Sequence, residues 1–251
     1  MIEHGGKTVF GATLGILMLE TQFPRIPGDI GNAATWPFPV QYRIVRGATP
    51  DKAVRGDADA LTVPFIEAGR DLVAHGCDGV ATNCGFLVPL QDRMAAALGV
   101  PVASSSLMQV PMVQRMLPSD RRVGVVTISQ ATLTERHLRA AGISEGTPII
   151  GTDDGEEFTN KVLTDQPAID FAKVRAEVVD ASVRLARENP DLGAIVLECT
   201  NMVPYARDVR RATGLPVFSI YSYLLWFHAA LMPKQFPPDL DDPVFARAAR
   251  G

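Results

Sequence analysis

One stretch of this sequence occurs twice. Asp78–Pro89 (DGVATNCGFLVP) returns as Gly193–Pro204 (GAIVLECTNMVP), and the register then holds without a gap. Cys84 and Cys199, Pro89 and Pro204, Gly99 and Gly214, Pro101 and Pro216, and Ser104 and Ser219 are each 115 residues apart (199 − 84). Each copy reads as a short buried strand, a Cys turn and a helix entered at Val-Pro. That helix ends at glycine, and Leu/Val-Pro-Val begins the next strand. Such a repeat predicts two related α/β halves, each a doubly wound parallel sheet, with a pseudo-twofold axis that turns both thiols toward one cleft.

The order of elements agrees. Thr8–Glu20 reads as a first strand, apolar on both faces, rather than a leader. A proline- and glycine-rich stretch, Thr21–Pro39, is long for a connector and is either a substrate loop or a surface excursion. Pro39–Arg46 reads as a second strand and Asp57–His75 as a helix. Ser104-Ser105-Ser106 caps a helix running to about Leu117. Pro118-Ser119-Asp120 marks the change of half. Strand Arg122–Ile128, helix Ala131–Ala141, strand Thr147–Thr152, an acidic loop over Asp153–Glu157 and helix Ile169–Asn189 then lead to the second Cys unit. Strand Val217–Ser219 and helix Tyr221–Met232 follow, and Phe236–Gly251 is read as a tail or short helix. The expected domains are 1–117 plus 216–251, and 118–215.

Composition removes several function classes. A net charge of −4 offers no basic surface for nucleic acid. No run of about 18 apolar residues would span a membrane. Three cysteines make no disulfide framework and fit free thiols in a cytoplasmic setting. There is no Gly-x-Gly-x-x-Gly, phosphate loop or Gly-x-Ser-x-Gly elbow, so neither a nucleotide cofactor nor a serine hydrolase is indicated. His4, His75, His137 and His228 are scattered and suggest no metal site. His137 is expected to be solvated, and His228 is the best placed for a Cys–His pair. Cys77, between a helix end and a strand, reads as structural.

The chemistry that remains is two thiols among neutral donors. Cys84 and Cys199 each follow a strand and precede a helix N-terminus, where N–H groups favour negative charge and are expected to lower the thiol pKa from about 8.5 toward neutrality. Asn83, the Gly85 N–H, Thr200, Asn201 and the hydroxyls of Thr127 and Ser129 can hold a small carboxylate or a developing enolate. One thiol on each face of the adjacent carbon moves a proton from one side to the other. One-thiol chemistry instead removes a proton and expels a leaving group.

At these residues the chain resembles the aspartate/glutamate/hydantoin racemase superfamily. The resemblance implies two pseudo-symmetric halves, each giving a Cys to the cleft, no pyridoxal phosphate or metal, and a homodimer. Pro27-Gly28-Asp29-Ile30, Tyr42-Arg43, Cys84-Gly85-Phe86 and Glu198-Cys199-Thr200 with Pro204-Tyr205 look most like its algal dimethylsulfoniopropionate lyase branch, and bring Asp29 and Tyr42 into the expected substrate site. The leading expectation is a cofactor-independent racemase with Cys84 and Cys199 as the acid–base pair. A C–S lyase is the close alternative, and a non-catalytic carboxylate-binding protein the third reading.

Overall fold

The computed structural model describes residues 5–235, so the expected tail over 236–251 lies outside the described residues. The first half holds β1 (Leu14–Leu19), β2 (Val40–Val45), α1 (Pro50–Val54), α2 (Thr62–Ala74), β3 (Gly79–Thr82), α3 (Gln91–Leu98), β4 (Val102–Ala103) and α4 (Val110–Met116). The second holds β5 (Arg122–Thr127), α5 (Glu135–Ala140), β6 (Ile149–Gly151), α6 (Phe158–Leu163), α7 (Phe171–Glu188), β7 (Leu192–Leu197), α8 (Ala206–Thr213) and β8 (Val217–Phe218), before α9 (Ile220–Leu231). The two sheets are entirely parallel and share one strand order, β2-β1-β3-β4 and β6-β5-β7-β8.

The central strands β1 and β3 are buried at every residue, as parallel strands covered on both faces must be. Alternation along β1 divides the core. Leu17 and Leu19 face the main apolar cluster, which runs through Phe65, Phe86 and Leu107 to Val125, Val196 and Val209 and so joins the two halves. Leu14, Ile16 and Met18 face the other way, onto Ile220, Tyr223, Leu224 and Phe227 of α9. Gly79 admits this helix closely, because a Cβ there would meet Leu231 and Phe227 at 2.6–3.0 Å.

Several boundaries differ from expectation. β1 begins at Leu14 rather than Thr8, and Gly11 just before it sits at φ +82°, outside extended backbone. Neither Cys turn leads straight into an α-helix. Each opens a 3₁₀ segment, Gly85–Leu90 or Thr200–Tyr205, with Pro89 or Pro204 inside it, where proline lacks the N–H an α-ladder would use. The following helices stop at Gly99 and Gly214, both left-handed, as the repeat predicts. Two short helices, α1 and α6, were not foreseen. β8 pairs with β7 in the second sheet, and Ser219 then caps α9. Among the described residues, no helix is long and apolar enough to cross a membrane.

α7 has the largest span of any helix described and gives a clean test of local stability. Asp170 caps it, accepting from Ala172 N (2.9 Å) and Lys173 N (3.2 Å). Asp170→Ala is expected to cost about 1 kcal/mol, lowering Tm by roughly 2–4 °C. Asp170→Asn should lose less. An unchanged Tm in Asp170→Ala would show that the cap contributes nothing.

Candidate active site

The two Cys turns meet at the seam between the sheets, and the same backbone device builds both. Asn83 N donates to Leu17 O (3.0 Å) and Glu198 N to Val126 O (2.8 Å), tying each turn to the strand beside it. Leu19 N then donates to Asn83 Oδ1 (2.7 Å), and Ile128 N to Glu198 Oε2 (3.3 Å). Asn83 and Glu198 are equivalent positions of the repeat, so the carboxyl group is aimed by the contact that aims the amide. Thr127 Oγ1 adds a second bond to Glu198 Oε2 at 2.9 Å. The turns also bond to each other, Thr200 Oγ1 donating to Asn83 O (2.8 Å).

Gly85 allows this close approach. A Cβ at that position would collide with Glu198 Oε1 and would lie 2.9 Å from both Glu198 Cδ and its carbonyl oxygen. The glycine is therefore required by space, since the carboxyl group occupies the volume of the missing side chain.

Cys84, Cys199 and Glu198 are all buried and line one narrow pocket, together with Asn83, Gly85, Phe86, Asn201 and Arg25. Each sulfur has a backbone donor two residues on, Phe86 N–H for Cys84 and Asn201 N–H for Cys199. These donors do favour thiolate, yet burial outweighs them. The Cys84 thiol is pushed up to about 12, by burial first and then by the Glu198 charge. Burial and Glu198 likewise drive Cys199 well above the ordinary thiol range. The expected lowering toward neutrality is thus reversed, because desolvation is the larger effect. Burial also raises Glu198 to about 7, opposed by its bonds from Thr127 and Ile128.

The thiols differ in their side-chain partners. Cys199 Sγ donates to Asn201 Oδ1 at 3.6 Å. Asn201 Nδ2 donates to Asp29 Oδ2, and Asp29 Oδ1 accepts from Arg25 Nη1 at 2.9 Å. Asp29 and Arg25 come from the long loop after β1, which packs on the second half where Gly28, at φ +103°, meets Pro204. Asp165, itself left-handed at φ +52°, accepts from Gln22 N (2.7 Å) and Phe23 N (3.3 Å) and holds the start of that loop. At Cys84 the position matching Asn201 is Phe86, a ring that offers no acceptor. A second cavity shares Phe23, Val162 and Asn201 with the first and is lined by Asp29, Phe158, Phe171 and Tyr205.

The structure thus brings Asn83, Cys84, Gly85, Cys199 and Asn201 to one pocket, with Asp29 in the adjoining cavity. Thr127 and Thr200 are engaged in holding the turns. Ser129 Oγ donates to Asp153 Oδ1 (2.7 Å), and Tyr42 Oη donates to Ile30 O (2.9 Å) beneath Trp36; neither lines the two cavities. His228 stacks on Phe38, also away from the pocket. His137 is half-buried rather than solvated, edge-on to Phe86, and burial lowers its pKa. Cys77 sits in the core, as expected of a structural thiol. Glu198 and Arg25 were missed as site residues. The offset of 115 was the available signal for Glu198, which it pairs with Asn83. Among the described residues, no group of three or more His, Cys, Asp or Glu could hold a metal ion.

Comparison with known proteins places this geometry. The family model for Asp/Glu/hydantoin racemase matches residues 48–227. A dimethylsulfoniopropionate lyase of Durusdinium sp. clade D is 29% identical over 215 residues, covering 82% of this chain and 71% of that protein. Dimethylsulfoniopropionate lyase 7 of Emiliania huxleyi is 31% identical over 235 residues, covering 88% of this chain and 67% of the lyase. Among solved structures, allantoin racemase from Klebsiella pneumoniae superposes with a TM-score of 0.61 at 19% identity, over 91% of this chain and 95% of that one. Unliganded arylmalonate decarboxylase gives 0.55 at 20%, over 91% and 96%. With two like sheets, a Cys turn from each at their seam, and this match over most of its length, the chain belongs to the Asp/Glu/hydantoin racemase family.

Proposed function

We propose that this protein is a cofactor-independent lyase that removes a proton from the carbon next to a carboxylate and expels a sulfur leaving group from the following carbon, as in conversion of dimethylsulfoniopropionate to dimethyl sulfide and acrylate. The observation that carries this reading is the inequality of the two thiols. Cys199 is oriented by the Asn201–Asp29–Arg25 chain, whereas Cys84 has an aromatic ring where that chain would begin. Racemisation asks the same work of both thiols in alternate directions. Elimination asks it of one. The curated relatives, lyases by name, support the same choice.

In this reaction the Cys199 thiolate takes the α-proton. The electron pair left behind forms the carbon–carbon double bond, the C–S bond breaks, and its electrons leave on the neutral sulfide. Donors from the Asn83 and Gly85 turn stabilise the enolate-like charge as it develops. The second cavity offers the rings of Phe158, Phe171 and Tyr205 to a cationic sulfonium, which aromatic faces attract.

Racemisation is the second reading, favoured by the presence of both thiols in one pocket. The products separate the two. Purified protein given dimethylsulfoniopropionate should release dimethyl sulfide and acrylate in equal amounts, measured by headspace chromatography and proton NMR. Chiral analysis of a panel of amino and hydroxy acids should show no racemisation. Racemisation without dimethyl sulfide would reverse the order of the two readings, and neither activity would remove both.

The cysteines can also be tested singly. Cys199→Ser should reduce turnover by about 10²–10⁴-fold, the usual worth of a general base. Cys84→Ser should reduce it by less than about tenfold, since that thiol need only line the pocket. Equal, severe losses would mark a two-base reaction. Circular dichroism of each variant guards against simple unfolding.

A further inference from the structure

We propose that Glu198 works as a neutral carboxylic acid that donates a hydrogen bond to the carboxylate of the substrate, with its proton on Oε1 facing the pocket. This deepens the reading above and rests on its carboxylate substrate.

The geometry fixes which oxygen carries the proton. Oε2 accepts from both Thr127 Oγ1 and Ile128 N, so it serves as the carbonyl-type acceptor. The proton is left to Oε1, which lies over Gly85 at the pocket wall, where no side chain can intervene. Among the described residues Glu198 has no ion-pair partner. The one pocket-lining cation, Arg25, is engaged by Asp29 at 2.9 Å.

The surroundings favour the acid form. The titratable groups facing Glu198 are Cys84 from the opposite turn, Cys199 beside it in the chain, and Arg25 with Asp29 on the loop that closes the pocket. None supplies a free positive charge. Burial already brings the carboxyl group to about 7. A substrate carboxylate adds a second negative charge in the same enclosed space. Two carboxyl groups in contact cannot both ionise without a large cost, and one proton shared between them removes it. The repeat supports the assignment, because Asn83 at the equivalent position is a neutral amide held in the same way.

Neutralising Glu198 has a second effect. Its charge is the second influence, after burial, that holds each thiol up, so protonation of Glu198 lifts that part of the penalty.

The experiment measures binding of propionate, which undergoes no elimination here, by isothermal titration calorimetry between about pH 6 and pH 9, where propionate stays ionised. Wild-type affinity should fall about tenfold per pH unit above the ionisation of Glu198. Glu198→Gln keeps an acceptor for Thr127 and Ile128 and an N–H for the ligand. It should bind within a few-fold of the wild type at pH 6 and lose the pH dependence. Glu198→Ala should bind about 10- to 100-fold more weakly at pH 6 and show no slope. A Gln variant as weak as Ala, a flat wild-type profile, or no propionate binding at pH 6 would each overturn the proposal. If the Ala variant fails to fold, the wild-type profile and the Gln variant decide it. Because no turnover is read, this pattern can hold in a protein that releases no dimethyl sulfide, so failure of the lyase reading and failure of the Glu198 role are separately visible.

Discussion

Three acids share one enclosed pocket, and the cost of charging them governs the rest of the site. Cys84, Cys199 and Glu198 are each raised by burial, and each thiol is raised further by Glu198. Backbone donors at the turn N-termini act in the opposite direction and lose, because desolvation of a fully enclosed group exceeds one or two hydrogen bonds. Each negative charge placed in such a site raises the cost of the next.

The repeat supplies the frame, and its departures from symmetry make the two turns unlike. Strand order, the backbone ties of each turn and the glycine stops are common to both halves. Within the turns the equivalent pairs diverge: Asn83 and Glu198, Gly85 and Thr200, Phe86 and Asn201. Small against large at Gly85 makes room for the Glu198 carboxyl group, and ring against amide at Phe86 and Asn201 gives only Cys199 a link to Asp29 and Arg25. A twofold scaffold thereby carries two unlike thiols.

Most of the fold was legible in the sequence because hydrophobic runs, prolines and glycines act locally. The Cys units, the Gly99 and Gly214 stops and the long α7 followed from those signals. The short α1 and α6 did not, since five or six residues give too little periodicity to register. The site was legible at Cys84, Cys199, Asn83, Gly85 and Asn201, which lie in the repeat itself. Arg25 was not, because its place depends on how an irregular loop folds back over the second half. Glu198 was in plain view within its motif, but nothing local says that a carboxylate next to a cysteine is enclosed. The thiol ionisation was misjudged for the same reason, for helix-terminal donors can be read from sequence and complete burial cannot.

The stereochemical fate of the substrate's α-hydrogen tests the one-thiol mechanism most directly. Dimethylsulfoniopropionate carrying a single deuterium at the carbon next to the carboxylate is prepared in each configuration, and the acrylate formed from each is examined by mass spectrometry. If Cys199 alone is the base, one configuration yields acrylate that has lost its deuterium and the other yields acrylate that has kept it. Partial retention from both configurations would mean that protons leave from both faces, and would contradict it.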